Sequence, residues 1–356
     1  MSLLKAHVER SQECPLVIVC HGARWTSRDG PYDYNASLDI MVPTVHRWRS
    51  LTLADHYDRN RILADRLHDG RTVFPLLMHV FITCYDKWYH PNFLHPDYVP
   101  ALKHLEAPIT HFTLMHPPFS PALEEITITK FSYWDECRFL YFLSFQGLKA
   151  LSFCGYMGEG RIHPDTVALP LLTHLSLDVS HAEELLHILS VPSLTHVNYL
   201  QQSFETLFTA FNGIPSKWAN VRELRLELPP RMACYREDYH VGLTALCLAA
   251  PEVQSVEVMA ENLDELLDCR EGLCPINHWV HLKKFTVIQG KVHQLNEVGS
   301  LYIVPWLKQR GDMAKLGLKV NFSLVNGDKA ELNGIMLGEI GQYCDGVNLH
   351  MEERGL

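Results

Sequence analysis

A six-residue apolar pattern recurs along this 356-residue chain and constrains its fold more than any other feature. The pattern has apolar residues at its first, fourth and sixth places, and its last three places alternate as a half-buried β-strand does. The segment 169–200 contains two copies, which are Leu172, Leu175 and Leu177, and then Leu194, Val197 and Tyr199. Each copy therefore predicts one short strand.

The residues between these two copies predict a helix. Ser180 and Glu183 have the spacing of a capping box, in which a serine and a glutamate three residues later satisfy free backbone N–H groups. Apolar residues within 185–189 supply one buried stripe, and Pro192 ends the helix. A strand, a helix and a second strand in so short a segment predict two parallel strands joined by a crossover.

The pattern recurs ten times, mostly at intervals of 22 to 32 residues, with one interval of 14. Besides the two copies above, its apolar residues are Trp48/Leu51/Leu53, Leu77/Val80/Ile82, Ile109/Phe112/Leu114, Leu123/Ile126/Ile128, Leu148/Leu151/Phe153, Val221/Leu224/Leu226, Val253/Val256/Val258 and Leu282/Phe285/Val287. Weaker copies lie at 317–322 and at Cys344/Val347/Leu349. Such recurrence of one structural unit is typical of a repeat protein.

These repeats predict an α/β fold, a right-handed solenoid shaped like a horseshoe. Crossovers between parallel strands are almost always right-handed. Because helices are wider than the spacing of about 4.8 Å between strands, helices and loops lie on the convex side and the parallel strands line the concave side. We expect a single solenoid over 1–356, with a cap helix and strand at 1–20, repeats at 45–324 and a final repeat or cap at 325–356.

Composition and charge argue against several classes of function. The formal charge of −10, without any run of basic residues, argues against nucleic acid as a partner, because phosphate binding needs clustered Lys and Arg. No apolar stretch approaches the roughly 20 residues of a membrane span, and the N-terminal residues lack the pattern of a signal peptide. We therefore expect a cytoplasmic or nuclear protein that does not bind a membrane.

Side chains at the third and fifth places of the pattern point away from the core and onto the concave side. Solenoids present such broad surfaces to their partners, and we predict a binding face for a protein or peptide whose identity the sequence does not reveal. The alternative is an ordinary solvated strand surface, in which threonine is favoured because it is β-branched. The candidate partner-binding residues are His79, Phe81, His111, Thr113, His174, Ser176, His196, Asn198, Glu223 and Arg225.

Two of these candidates form a pair. His174 and His196 hold the same place in consecutive repeats, and we expect them to be cross-strand neighbours. Because histidine changes its charge near neutral pH, a partner held by this pair should bind differently at about pH 5.5 and about pH 8.

The remaining motifs do not predict catalysis or cofactor binding. Cys269, Cys274, His278 and His281 include the ligand types of a zinc site, but they lie too close together for a zinc finger, and we predict a loop without metal. The glycine-rich segment 155–160 lacks the Lys-Ser/Thr of a phosphate-binding loop. Because no catalytic signature occurs either, we expect a protein that is not an enzyme and needs no cofactor.

The repeats resemble leucine-rich repeats in their LxxLxL spacing. A closer resemblance lies in the phrases VERSQECPLVIVC at 8–20, VHRWRSLTL at 45–53, HLEAPITHFTL at 104–114 and LPLLTHLSL at 169–177. These are similar to the C-terminal repeat region of fungal F-box/leucine-rich-repeat proteins, and the likeness covers nearly the whole chain. It implies a leucine-rich-repeat-like solenoid that selects substrates for a ubiquitin ligase.

In that family, F-box helices ahead of the repeats bind the Skp adaptor and so attach the repeat domain to a cullin-based ubiquitin ligase. No residue of this sequence matches the F-box, so the resemblance implies the Skp adaptor as a partner only for a longer form that carries one. The chain is then either a fragment or a natural form that keeps only the recognition domain. A scaffold that acts without ubiquitin chemistry is the alternative hypothesis, and an enzyme with its site on the solenoid rim is a third.

Overall fold

The computed structural model describes the greater part of the chain. The described residues are 2–21, 34–54, 62–63, 65–67, 72–83, 92–108, 120–131, 147–155, 167–179, 182–201, 211, 218–227, 236–259, 263–267, 274–290, 299–311, 317–325 and 334–352. They belong to two compact units, Met1–Leu171 and Leu172–Leu356, and each unit carries a parallel arrangement of β-strands.

Of the seven strands described in the first unit, six pair side by side in chain order, and every pair is parallel. The strands are β1 (Leu16–His21), β2 (Trp48–Ala54), β3 (His79–Ile82), β4 (His104–Pro108), β5 (Glu125–Phe131), β6 (Ala150–Gly155) and the two-residue β7 (Val167–Ala168). The helices of this unit include α1 (Ser2–Arg10) and α2 (Tyr34–Met41), with 3₁₀ helices at Val42–Arg47 and Asn92–Leu94.

In the second unit, seven of the eight described strands pair in the same parallel manner. The strands are β8 (His174–Val179), the two-residue β9 (Leu189–Ser190), β10 (His196–Gln201), β11 (Glu223–Glu227), β12 (Ser255–Met259), β13 (Lys284–Gly290), β14 (Lys319–Val325) and β15 (Gly346–Glu352). The helices include α3 (Glu183–Ile188), α4 (Arg236–Ala249), α5 (Leu263–Leu266), α6 (Val304–Arg310) and α7 (Gly334–Tyr343), with a 3₁₀ helix at Pro275–His278 and a π-helix at Gly299–Ile303.

The apolar residues of the sequence pattern form the buried side of the paired strands in both units. In the ten main copies, each of these residues that the structure describes is at most 5 % exposed. The strand pairs align them in rows, so that Leu51 lies beside Val80 and Leu175 lies beside Val197. The prediction of parallel, half-buried strands is therefore confirmed.

Helices and aromatic side chains cover this buried side. Trp306 of α6 and Phe285 of β13 are both fully buried, and their ring centroids lie 5.2 Å apart. In the first unit, the ring of Trp48 at the start of β2 lies 5.9 Å from that of Phe74. The fold is therefore α/β, with helices packed on the apolar side of parallel strands, as the sequence predicts.

Shared carbonyl groups fix the register between consecutive repeats. The carbonyl oxygen of Thr173 accepts the N–H groups of Thr195 and His196, at 3.0 and 2.9 Å. In the first unit, the carbonyl oxygen of Met78 accepts those of Lys103 and His104, at 2.9 and 3.0 Å. Because each repeat docks on the preceding one in the same way, residues at the same place of the pattern lie side by side.

One predicted repeat lies elsewhere in the structure. The pattern predicts a strand within 109–114, but the strand that pairs with both β3 and β5 is β4, His104–Pro108. The buried residues of this repeat are Leu102, Leu105 and Ala107. Residues 109–114 lie outside the described residues. Ala107 is small, and the more apolar residues that follow it fit the pattern better, which explains why the predicted register differs from that of β4. The short interval of 14 residues disappears with this correction, because Leu102 and Leu123 lie 21 residues apart.

The helix predicted after β8 is confirmed, but its predicted start is wrong. The N-cap residue of α3 is Ala182, and it makes no side-chain hydrogen bond to the helix. Glu183 is thus the first helical residue and does not hold the place from which a capping-box glutamate reaches back. The predicted cap, Ser180, lies outside the described residues.

Both ends of the chain carry elements of the predicted kind. The helix and strand predicted at 1–20 are α1 and β1, and β1 pairs with β2 as the first strand of the sheet. The segment predicted as a final repeat or cap contains α7 and β15. The single solenoid over 1–356 stays a prediction.

Candidate functional site

In each unit, we call the side of the paired strands opposite the buried apolar residues the open face. It carries two rows of side chains, from the third and fifth places of the pattern, and neighbouring strands hold them in register. The first row is Ser50, His79, His104, Glu125 and Ala150 in the first unit, and His174, His196, Glu223, Ser255, Lys284 and Lys319 in the second. The second row is Thr52, Phe81, Glu106, Thr127 and Ser152, and Ser176, Asn198, Arg225, Glu257, Thr286, Asn321 and Asn348.

In the first unit, two histidines and a glutamate lie side by side in the first row. The rings of His79 and His104 are stacked, with centroids 4.5 Å apart and planes 7° apart. On the other side of the stack, His104 Nδ1 lies 2.8 Å from Glu125 Oε2, at hydrogen-bonding distance. The carboxylate therefore orients the His104 ring and, through it, the stack.

Burial and neighbouring charges shift the pKa values of His79 and Glu106. The pKa of His79 lies below its ordinary value, first because burial penalises the imidazolium and then because His104 and Arg49 repel another positive charge. In the second row, burial and the nearby charge of Glu125 raise the pKa of Glu106. His79 is therefore mainly neutral at physiological pH, the form in which one ring nitrogen can donate and the other can accept a hydrogen bond.

The low pKa of His79 predicts a pH dependence of stability. Below about pH 6.5 the unfolded chain takes up a proton at His79 more readily than the folded chain does, so acid weakens folding in that window. The urea midpoint of His79→Gln should therefore fall less than that of the wild type between about pH 7.5 and about pH 5.5. The exposed His46, replaced in the same way, is the matched control for the loss of one histidine. An equal fall in the urea midpoint for His79→Gln and for the wild type would contradict this prediction.

An ion-pair ladder borders the open face of the first unit. Glu124 lies between Lys103 and Lys149, and each Nζ is 3.0 Å from one of its carboxylate oxygens. Hydrogen bonds from Lys149 and from Lys103 lower the pKa of Glu124. Such exposed pairs contribute little stability. They do fix where two ammonium groups stand beside the row of histidines.

The second unit repeats the histidine arrangement. The rings of His174 and His196 are stacked, with centroids 4.2 Å apart and planes 13° apart, which confirms them as cross-strand neighbours. The hydroxyls of Thr173 and Thr195 each lie 2.9 Å from Nδ1 of the histidine that follows. On the far side, His196 Nε2 lies 3.3 Å from Glu223 Oε1. Threonine and glutamate thus hold both rings in place before any partner binds.

Opposite charges lie close together beyond these histidines. Arg225 donates from Nε at 2.9 Å, and also from Nη2, to Glu227 Oε1 in the same strand. Lys284 Nζ lies 3.8 Å from Glu257 Oε1 on the neighbouring strand. The open face of the second unit therefore changes along the sheet from imidazole rings to charged groups.

Side-chain hydrogen bonds join the second row across β13, β14 and β15. Asn348 Nδ2 donates to Asn321 Oδ1 at 2.8 Å, and Asn321 Nδ2 donates to Thr286 Oγ1 at 3.3 Å. A cavity of about 220 Å³ opens beside this ladder. Residues that line it include Arg225, Glu257, Lys284, Thr286, Asn321 and Ser323.

The structure brings most of the predicted candidate residues together. His79 and Phe81 lie in β3, and the six candidates of the second unit form adjoining rows on β8, β10 and β11. These six are His174, Ser176, His196, Asn198, Glu223 and Arg225. His111 and Thr113 lie outside the described residues, and the places predicted for them belong to His104 and Glu106.

Sequence reasoning missed three parts of the open face. The irregular interval of 14 residues was the signal that pointed to His104 and Glu106. The weaker copies at 317–322 and 344–349 put Asn321 and Asn348 at the same place of the pattern, but the sequence does not show that their two amides bond to each other. The cavity residue Ser323 had no signal at all, because it lies beyond the six-residue pattern.

Three of the four Cys and His residues considered as zinc ligands, Cys274, His278 and His281, lie among the described residues. Cys274 is fully buried and disulfide-bonded, so its sulfur is not a free thiolate. His281 is exposed, with Nε2 3.9 Å from Glu252 Oε1, and Cys269 lies outside the described residues. Over the part of the chain that the structure describes, no three His, Cys, Asp or Glu side chains are grouped so that they could hold a metal ion.

The chain was compared with protein families, with curated proteins and with solved structures. No protein-family model, no curated protein and no solved structure matches the chain. Each helix in the described ranges is too short or too polar to cross a lipid bilayer. The open face must therefore be interpreted from its own geometry.

Proposed function

We propose that this chain is a protein-recognition domain, a leucine-rich-repeat-like right-handed solenoid that binds a protein or peptide across its open face. The observation that carries the proposal is the register of the polar rows. In each unit, side chains that bond well to polypeptides stand side by side on the solvent side of parallel strands, while the other side is filled by apolar residues. Solenoids bind partners on such extended surfaces.

The geometry suits an extended segment that crosses the strands. Neighbouring strands lie about 4.8 Å apart, so each repeat offers a new pair of side chains at that interval. Histidine and asparagine donate and accept hydrogen bonds, and the backbone of an extended partner needs both. His174 and His196 lie on two adjacent strands and are held by neighbouring side chains, so little conformational entropy is lost when they bind.

The resemblance to F-box/leucine-rich-repeat proteins suggests what the recognition serves. We propose substrate selection for ubiquitination by a form that also carries an F-box, with the Skp adaptor as its second partner. An interaction scaffold independent of ubiquitin is the alternative. Co-purification of the Skp adaptor with the longest natural form of the protein would favour the first role, and its absence there would favour the second.

Replacing the stacked histidines should remove partners. We expect the double variant His174→Ala/His196→Ala to lose at least one protein that the wild type retains in affinity purification with mass spectrometry. The matched control is His187→Ala/His281→Ala, which removes two exposed histidines of the same unit that lie outside the two rows. The control should retain the full set of partners.

Identical partners for the wild type and for the double variant would contradict binding at this pair. Loss of the same partners in both double variants would point to damage elsewhere in the unit. A far-UV circular dichroism spectrum of each variant separates lost binding from lost structure.

A further inference from the structure

The cavity beside the hydrogen bonds that join Asn348, Asn321 and Thr286 is lined by several buried polar residues. Seven polar or charged residues of the described chain are buried, and three of them, Thr286, Asn321 and Ser323, line this one cavity. Ser323 is 5 % exposed, and its Oγ has no hydrogen-bond partner within the described structure. A buried hydroxyl without a partner has lost its hydrogen bonds to water and gained none in return, which destabilises the folded state. A ligand that bonds to Ser323 would recover that loss.

The cavity offers more hydrogen-bond donors than acceptors. Thr286 Oγ1 already accepts from Asn321, so its own hydrogen remains to be donated. The hydroxyl of Ser323 and the ammonium group of Lys284 add further donors, and Arg225 has N–H groups beyond the two that bond to Glu227. Among the residues that line the cavity, only Glu257 has a carboxylate.

Two cationic side chains, Arg225 and Lys284, line the cavity of a protein that is acidic as a whole. Lys284 and Lys319 are paired across β13 and β14, and the N–H of Lys319 donates to the carbonyl of Lys283 at 2.7 Å. Lys319 thus adds a cationic residue beside Lys284, which lines the cavity together with Arg225. Glu227 and Glu257 balance two of them, whereas the whole chain has a formal charge of −10.

We propose that this cavity binds a carboxylate, the side chain of an Asp or Glu in an acidic segment of the partner protein. The inference rests on the proposed recognition function and names the chemistry that one site selects. The carboxylate accepts hydrogen bonds from Ser323, Thr286 and Lys284, and such charge-assisted bonds are stronger than neutral ones. A volume of about 220 Å³ suits one side chain, because sites for drug-sized molecules begin at about 300 Å³.

Methyl NMR of the full chain tests the proposal, because Ile288 also lines the cavity. The probes are N-acetyl-glutamate-N-methylamide, the matching glutamine compound and inorganic phosphate. Ile288→Val assigns the Ile288 methyl signal. The glutamate probe should shift that signal saturably at millimolar concentration, and the glutamine probe should bind at least about fivefold more weakly.

Two variants connect this binding to named groups. Ser323→Ala and the exposed Lys284→Gln should each weaken the glutamate probe about fivefold or more. Ser255→Ala makes the same chemical change as Ser323→Ala on the same open face, outside the cavity lining, and should bind as the wild type does. If Ser323→Ala does not fold, the result with Lys284→Gln decides.

Three results would overturn the proposal. They are the lack of a saturable shift with glutamate, equal binding of the glutamate and glutamine probes, and binding of phosphate alone. Each leaves the recognition function testable, because that function is examined through His174 and His196 on other strands. Continued loss of partners in the His174→Ala/His196→Ala variant would then show that only the assignment of the cavity had failed.

Discussion

Replacing Trp306 with alanine should lower the free energy of unfolding by about 3 to 5 kcal/mol, as deletion of a fully buried tryptophan typically does. Trp306 has no exposed surface, and its ring lies 5.2 Å from that of Phe285 on the buried side of β13. Its Nε1 donates to Asn277 Oδ1 at 2.9 Å, and the guanidinium of Arg310 lies 5.7 Å above its ring. Truncation removes the ring that joins α6 to the sheet and leaves a cavity there.

The control for Trp306→Ala is Trp306→Phe. Phenylalanine keeps an aromatic ring against Phe285 but loses the hydrogen bond to Asn277. This substitution should lower the free energy of unfolding by about 1 to 2 kcal/mol. Urea unfolding followed by far-UV circular dichroism measures both variants without depending on tryptophan fluorescence. If the alanine variant loses no more stability than the phenylalanine variant, the packing described for Trp306 is wrong.

The buried side of the fold was predictable because apolar spacing determines it directly. In a strand with one buried face, apolar and polar side chains must alternate. Parallel repeats place residues at the same position of the pattern side by side. Because Leu175 and Val197 are neighbours, His174 and His196 must be neighbours as well. The prediction was wrong where a small residue holds a core place. Ala107 is fully buried in β4, but its single methyl group gives a weaker signal than the larger residues that follow it.

The chemistry of the open face was less predictable, because it depends on side-chain conformations. Thr286, Asn321 and Asn348 come from three strands far apart in sequence, and their hydrogen bonds depend on which way each amide turns. The pairing of Arg225 with Glu227 is local, but nothing in the sequence distinguishes it from a pairing with Glu257 on the next strand. The cavity depends on these side-chain conformations, so it could not be predicted from the sequence.

A second large effect should follow from Arg47, a buried cation of the first unit. It is 6 % exposed, and its Nε and Nη2 donate to the carbonyl oxygen of Cys14 at 3.2 and 3.0 Å. Nη2 also donates at 2.6 Å to Ser11 Oγ, whose hydroxyl donates in turn to the carbonyl oxygen of Val8 at 2.7 Å. One guanidinium thus fastens the turn after α1 to the segment that leads into β2.

Replacing Arg47 with methionine should destabilise the protein by about 2 to 4 kcal/mol and release α1 locally. The methionine fills part of the space but leaves the carbonyl of Cys14 without its donors, and hydrogen bonds to charged groups contribute about 1.5 to 3 kcal/mol each. Hydrogen exchange should show faster exchange across α1 and β1, while β3 to β6 keep their protection.

The control is Arg47→Lys, which retains the positive charge without the planar guanidinium. Its free energy of unfolding should lie between those of Arg47→Met and the wild type. Unchanged protection of α1 in Arg47→Met would show that apolar packing alone holds this helix, because the variant removes every hydrogen bond from residue 47 to the turn.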